Sequence, residues 1–324
     1  MLPDAFGRRF LLFIDTEEEF DWYAPLRRDA TATASLRALP AAQRRFRDFG
    51  IAPTYLVDYP VCTDPRSGDV LRPALEAGEA ALGAQLHPWV NPPFDEDVSQ
   101  PNSFVGNLTE VAERAKLTAL VECLRRNFGR PPTVYRAGRY GVGPRSAGLL
   151  EQAGFKLDVS VRSLFDYRYA GGPDFSHHPV WPWWAGPGGE LLELPLGAAW
   201  TGGLRGWGEP LYRFAGRVPR LRGALDRAGL VGRVALTPED VPLDRARAAI
   251  RAMLNDGARV ISFSFHSPSL EPGHTPYVRD EADLRRFWGW WDGVLELLAR
   301  EGVIAASSDE LVAAAWSARR ATAC

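Results

Sequence analysis

Carboxylates crowd one short segment of this chain. Asp15-Thr16-Glu17-Glu18-Glu19-Phe20-Asp21-Trp22 begins where an apolar run, 10–14, ends. Packed like charges are unfavourable unless water, a cation or an arginine compensates them. Asp15, which closes the apolar run, reads as functional. Glu18 and Glu19 read rather as an acidic, solvated loop that starts a helix. Two histidines also close apolar runs. His87 stands in Gly83-Ala84-Gln85-Leu86-His87-Pro88-Trp89-Val90-Asn91-Pro92-Pro93, and His266 in Val260-Ile261-Ser262-Phe263-Ser264-Phe265-His266-Ser267-Pro268. A neutral imidazole suits zinc and similar metals; the plainer alternative for either histidine alone is a structural role. A third segment, Tyr135-Arg136-Ala137-Gly138-Arg139-Tyr140-Gly141, ends a run with arginines and a glycine turn. One of these could lock a carboxylate with a bidentate pair, whereas Arg139 reads as a surface arginine.

Short, almost continuously apolar runs at 10–14, 53–57, 82–86, 134–137, 157–161, 191–196, 233–236, 260–265 and 303–306 predict strands covered on both faces. Longer amphipathic periods lie between them. Over 108–128, Leu117, Leu120, Val121, Leu124 and Phe128 share a stripe that Gly129 ends. Over 242–256, Pro242 suits the first helical turn and Gly257 the stop. Over 281–300, Leu284, Phe287, Trp288, Trp291, Leu295 and Leu298 share a face. Alternating strand and helix predicts parallel pairing with right-handed crossovers, either as a barrel or as an open sheet wound the same way. In such folds active sites sit at the C-terminal ends of the strands. The stretch 162–208 breaks the rhythm with Gly, Pro and Trp and reads as a long excursion over one face. Without an internal repeat or linker, one domain over 1–324 is expected.

The net charge of −2 argues against a nucleic-acid partner, which would call for a basic surplus. Only Lys116 and Lys156 are lysines; the other basic residues are arginines. Cys62, Cys123 and Cys324 make neither a CxxC nor an even set, so a disulfide scaffold and a thiolate zinc site are not expected. The run at 10–14 is too short for a signal core, and no run reaches eighteen apolar residues. The expectation is a cytoplasmic protein without membrane insertion, of undetermined oligomeric state.

Taken in order, "DTEEEFDW", "QLHPWVNPP", "RAGRYG" and "SFHSPSLEPGHTPYVR" resemble the motifs of the NodB-type polysaccharide deacetylases, carbohydrate esterase family 4, and more closely their WalW-like branch. The likeness spans about residues 10–279. It implies a distorted (β/α)7 barrel with long loops on the strand C-terminal face. It also implies a hydrolase that removes N-acetyl or O-acetyl groups from a carbohydrate, with a divalent metal, zinc above all. By that resemblance Asp15 is the general base and Arg136 holds it. His266 is the general acid, oriented by Asp158 or Asp166, with Asp158 preferred because it lies in a strand. Glu17 and His87 are metal ligands, and Asn91 stands where the second histidine of the motif belongs. Gly138 replaces the usual proline. An amide oxygen is a weaker ligand than imidazole. Three outcomes therefore stay open: a metal on Glu17, His87 and Asn91; a shell completed by Gln85, His177 or His178; or a metal-free site like that of the allantoinase-like relatives.

Trp181, Trp183, Trp184, Trp200 and Trp207 could form a wall for a pyranose face or could pack the excursion onto the barrel. Trp89, Tyr140, Trp183 and Trp200 are the expected substrate contacts. His274 reads as loop surface. The function expected is deacetylation of a saccharide intermediate, in keeping with surface-polysaccharide or lipopolysaccharide assembly. The alternatives are a metal-free amide or ureide hydrolase and a catalytically silent glycan-binding homologue.

Overall fold

Apolar runs without polar alternation need cover on both faces, and the strands they form build the centre of this molecule. The computed structural model describes residues 2–323, so Cys324 lies outside the described residues. The strands are β1 (Arg9–Thr16), β2 (Thr54–Val57), β3 (Ala81–Leu86), β4 (Val134–Ala137), β5 (Leu157–Asp158), β6 (Trp183–Ala185), β7 (Leu191–Glu193), β8 (Ala198–Thr201), β9 (Gly232–Ala235), β10 (Val260–His266) and β11 (Ile304–Ala305). The main sheet runs β10-β1-β2-β3-β4-β5-β7-β6, with β11 beside β1. Every pairing in it is parallel except that of the edge strand β6 with β7.

The sheet curls into a distorted (β/α) barrel. Between β7 and β10 no ladder forms, and irregular backbone bridges the gap. Gly197 N donates to Ser262 O (3.1 Å), Leu236 N to Gly197 O (2.7 Å) and Ser264 N to Leu236 O (3.3 Å).

Helices cover the outer face. Glu110–Phe128 starts at Thr109, whose side chain accepts from Ala112 N, and stops at Gly129 in the left-handed region (φ 76°). There glycine carries no Cβ penalty. Glu281–Arg300 starts at Asp280, whose carboxylate caps Ala282 N and Asp283 N. Its buried face sets Phe287 and Trp291 against β10, with ring centroids 5.1 Å (Phe265–Phe287) and 5.7 Å (Phe263–Trp291) apart. Truncating a core aromatic of this kind costs about 3–5 kcal/mol.

The structure departs from the sequence reading in five places. β1 continues through Asp15 and Thr16, so Asp15 sits inside the ladder rather than after it. The run at 157–161 is a strand only at Leu157–Asp158, because Asp158 turns its carboxylate back onto the Ser160 backbone N–H (3.0 Å). The run at 233–236 pairs antiparallel with β8 in a small sheet of its own. Pro242 precedes the helix Leu243–Asn255 as its N-cap rather than entering its first turn. The excursion at 162–208 contains two strands, β6 and β8, besides β7. Among the described residues no helix is long and apolar enough to cross a membrane. Cys62 and Cys123 are buried free thiols that share the Asn127 side-chain amide.

Candidate active site

Parallel register alone brings the first two groups together. β1 and β10 pair so that Asp15 lies directly opposite His266. The His266 Nε2–Asp15 Oδ2 separation is 3.8 Å, too long for a hydrogen bond. On the other side of the carboxylate, Arg136 Nε stands 3.4 Å from Asp15 Oδ1. Arg136 projects from β4, where it is paired in register with Gln85 of β3. Both Arg136 and Asp15 are buried. Arg136 Nε and Nη1 have no hydrogen-bond partner, an expensive condition for a buried cation unless another group engages them.

His266 is oriented by Glu239, which the sequence reading missed. Glu239 Oε2 lies 2.7 Å from His266 Nδ1, and Oε1 accepts from His266 N (3.1 Å) and Ser269 Oγ (2.5 Å). Asp158 is not that partner. It accepts from Ser160 N at 3.0 Å, and it faces Glu193, the residue opposite it in the β5–β7 ladder, whose carboxyl is pushed well up by burial and then by Asp158. Asp166 is not the partner either; it pairs with Arg168 at 2.8 Å. Burial pulls the imidazolium of His266 down, but Glu239, Glu17 and Asp15 outweigh it and push the group up to about 10. At neutral pH His266 is therefore a cation, with Nδ1–H committed to Glu239 and Nε2–H aimed toward Asp15.

The second histidine behaves differently. His87 is buried, and burial pulls it below its ordinary value despite Glu17, Asp58 and Asp15 nearby. Its Nδ1 lies 2.8 Å from Glu18 Oε2, so the neutral ring carries its proton there and turns the Nε2 lone pair inward. Glu18 also accepts from Trp89 Nε1 (3.0 Å), and its backbone N–H donates to Asp58 (2.8 Å). Burial first, then Glu18, pushes Asp58 well up, so Asp58 is the protonated member and donates to Glu18. Glu18 itself is raised by burial to about 6.

Glu17 lies between the two histidines. Its Oε2 is 3.6 Å from His87 Nε2 and accepts from Gln85 Nε2 (2.8 Å), while Oε1 is buried without a partner. Burial raises this carboxyl to about 8, opposed by His266 and His87. A buried carboxylate oxygen without a partner, facing an imidazole lone pair whose far nitrogen is fixed by a second carboxylate, is a donor set that fits a divalent cation. Asp15, Glu17 and His266 also have ligand atoms within 4.8 Å of one another, as do Glu18, Asp58 and His87. The latter trio is spent on its own hydrogen bonds.

Asn91 does different work from that expected. Its amide Nδ2 donates to Pro92 O (2.7 Å) and Lys116 O (2.9 Å), and its backbone carbonyl accepts from Lys116 Nζ (2.6 Å). The residue ties the histidine loop to the helix Glu110–Phe128, although Oδ1 keeps no partner. His177 faces Glu209 and His178 packs on Phe175, so neither joins this cluster. Gly138 has a steric reason. A Cβ there would stand 2.0 Å from His87 Cδ2 and 2.6 Å from Nε2, so the imidazole occupies the space a proline ring would need.

Aromatic residues line the mouth. Tyr140 follows Arg139, both with positive φ (58° and 57°), a strained conformation for non-glycine residues. It sets the Tyr140 ring 5.3 Å from the Arg136 guanidinium. Trp22 meets His266 edge-on at 4.9 Å, and Tyr277 stacks on His266 at 6.4 Å. Neither was assigned a role from sequence, though both lie inside the motif segments. Trp89 is not an accessible contact: it is buried and stacked on His87 at 4.3 Å, behind the site. Trp183 lies on the edge strand opposite Glu193, and Trp200 packs on Tyr212 (5.1 Å), away from the Asp15–His266 pair. His274 is half-buried and pairs with Glu19 (2.9 Å), not free at the surface.

No family model and no curated protein matches the chain. Solved structures do. A protein from Mycobacterium smegmatis described as a polysaccharide deacetylase is 21% identical over 94% of this chain and 90% of its own, with a TM-score of 0.54. PuuE allantoinase is 15% identical over 95% and 90%, TM-score 0.49. A peptidoglycan N-acetylglucosamine deacetylase is 10% identical over 93% and 86%, TM-score 0.45. The likeness to the Mycobacterium smegmatis protein establishes a shared distorted α/β barrel, with Asp15, His87, Arg136 and His266 of this chain all at the C-terminal ends of its strands.

Proposed function

We propose that this chain is a carbohydrate deacetylase, hydrolysing the N-acetyl or O-acetyl group of a sugar. One observation carries the reading: a carboxylate and a charged histidine face each other at 3.8 Å, each clamped from behind, Asp15 by Arg136 and His266 by Glu239. A base and an acid in opposite protonation states, side by side, are what acyl transfer to water requires.

Glu17 and His87 would hold a divalent cation, whose chemistry is to polarise the acyl carbonyl and make a water acidic. Gln85, whose amide donates to Glu17, keeps its Oε1 buried without a partner beside them. Asp15 takes the proton of the attacking water, and the Arg136 guanidinium keeps the carboxylate in place. His266 Nε2–H gives its proton to the leaving amine or alkoxide as the C–N or C–O bond breaks, and Glu239 stabilises the cation until then. Water and amide become acetate and amine, with no other reactant. The 3.8 Å gap leaves Nε2–H free for the substrate. A role in surface-polysaccharide or lipopolysaccharide assembly inside the cell would suit a saccharide intermediate as substrate.

A second reading, metal-free hydrolysis of a small amide or ureide, is favoured by Gln85. Its amide donates to Glu17 and reaches His87 Nε2 at 3.2 Å, tying carboxylate to imidazole with a donor of the chain's own. Acetate release from acetylated saccharides, read alongside the metal content of the purified protein, separates the two. Asp15→Asn and His266→Gln are each expected to cut turnover by about 10²–10⁴ with unchanged circular dichroism. Full turnover in both variants would reject the assignment.

A further inference from the structure

Beside this pair, arginines and aromatic rings alternate along one path. The Tyr140 ring lies 5.3 Å from the Arg136 guanidinium and 5.4 Å from that of Arg162. Arg162 in turn covers Phe165 at 4.1 Å, and Arg233 covers the same ring at 3.7 Å. Tyr212 follows, 4.8 Å from Arg233 and 4.3 Å from Arg222. The path starts at the arginine that touches Asp15 and ends in a cavity of about 440 Å³ lined by Trp200, Tyr212, Arg222 and Arg233.

The charges on this path do not cancel. Among the described residues Arg162, Arg222 and Arg233 form no ion pair. Their hydrogen bonds go to neutral oxygens: Arg162 to Tyr167 Oη (3.3 Å), Arg233 to Leu164 O (2.7 Å) and Arg222 to Tyr212 O (2.9 Å). Arg162 Nε is buried with no partner at all. The acids around the cavity are already engaged: Asp166 and Asp174 hold Arg168 (2.8 and 3.0 Å), and Glu209 holds His177 (3.1 Å). Arg162 and Arg233 are partly buried, and such cations without counter-charges cost free energy unless an anion completes them; Arg222 stands exposed at the outer end of the path. Ring stacking alone returns only about 0.5–2 kcal/mol per contact.

We propose that Arg162, Arg233 and Arg222 form a cationic track that binds the carboxylate or phosphate of an acidic saccharide while its acetylated sugar occupies the Asp15–His266 pair. The planar guanidinium fork suits both anions, and the half-buried rings between the arginines hold the forks in line. The track rests on the deacetylase reading for what lies at its inner end, but its test does not.

Binding is measured by calorimetry, independently of acetate release, with three probes: a hyaluronan tetrasaccharide carrying glucuronate, UDP-N-acetylglucosamine carrying diphosphate, and neutral tri-N-acetylchitotriose. At least one acidic probe should bind about ten- to hundredfold more tightly than the neutral one, as one or two charge-assisted contacts allow. The advantage should shrink with added salt. Which acidic probe wins identifies the anion. Arg162→Gln and Arg233→Gln should each lower affinity for that probe and leave the neutral probe unchanged, while Arg162→Lys should restore part of the loss. Equal binding of neutral and acidic probes overturns the proposal. So does no measurable binding of either acidic probe, or an advantage that survives both glutamine variants in folded protein.

Discussion

Two histidines in this molecule share one local design and carry opposite charge. Each closes or follows a parallel strand, and each hands its Nδ1 to a glutamate, at 2.8 Å for His87 and 2.7 Å for His266. Yet burial pulls His87 down, while His266 rises to about 10. The difference lies one shell out. Glu18 is itself buried and raised to about 6, and it divides its acceptance between Trp89, Asp58 and His87. Glu239 faces a ring that also sees Glu17 and Asp15, and that ring is one-fifth exposed. A carboxylate at Nδ1 therefore fixes the orientation of an imidazole, and the balance between burial and the charge of that carboxylate and its neighbours decides whether the ring holds one proton or two. The neutral ring is suited to hold a cation, the charged one to give up a proton.

The comparison can be broken first at Glu239. Glu239→Gln keeps the hydrogen bond but removes the largest raising influence on His266. Turnover should fall by about 10–100-fold. In the proposed mechanism a charged His266 is the active form, so activity would be present below its value and lost as pH rises through it. The wild-type rate should therefore fall as pH rises toward 10, and the variant's alkaline limb should move to lower pH. An unmoved limb in pH–rate profiles would show that Glu239 does not set the charge.

The same exchange at the other histidine should leave that limb in place. Glu18→Gln loosens the tie on His87 Nδ1, and metal affinity should drop by about 10–100-fold, read by competition with a chelator. Unchanged affinity would remove Glu18 from the account. The smallest effect concerns packing. Gly138→Ala drives a methyl group into the His87 ring and should destabilise the fold by about 1–3 kcal/mol, with thermal unfolding as the readout and His266 untouched. A neutral outcome would mean that the ring has room to move.

Much of this arrangement could be read from the sequence, and the reasons are specific. Apolar runs at 10–14, 82–86, 134–137 and 260–265 are buried strands because continuous hydrophobicity tolerates no solvent face. Polar residues ending such runs must then gather at one rim, which is how Asp15, His87, Arg136 and His266 were found. Glu239 was missed because Pro242 made its neighbourhood read as a helix start, although Glu239 also follows an apolar run, 233–236, and that was the available signal. Asp158 was favoured for lying in a strand, but its carboxylate closes on Ser160, a local bond that periodicity does not reveal. Asn91 was read by its place in a motif, whereas its amide serves Lys116 across the loop, a contact between positions 25 apart. The arginine–aromatic path was invisible because its members are spread from Arg136 to Arg233 and meet only through the excursion at 162–208.

The most direct test of the central claim is the protonation of the two rings, read by nitrogen-15 chemical shifts of the imidazoles at pH 7.5, with His87→Gln and His266→Gln as assignment controls. The account predicts His266 protonated on both nitrogens and His87 neutral with its proton on Nδ1. A neutral His266, or a doubly protonated His87, would contradict it.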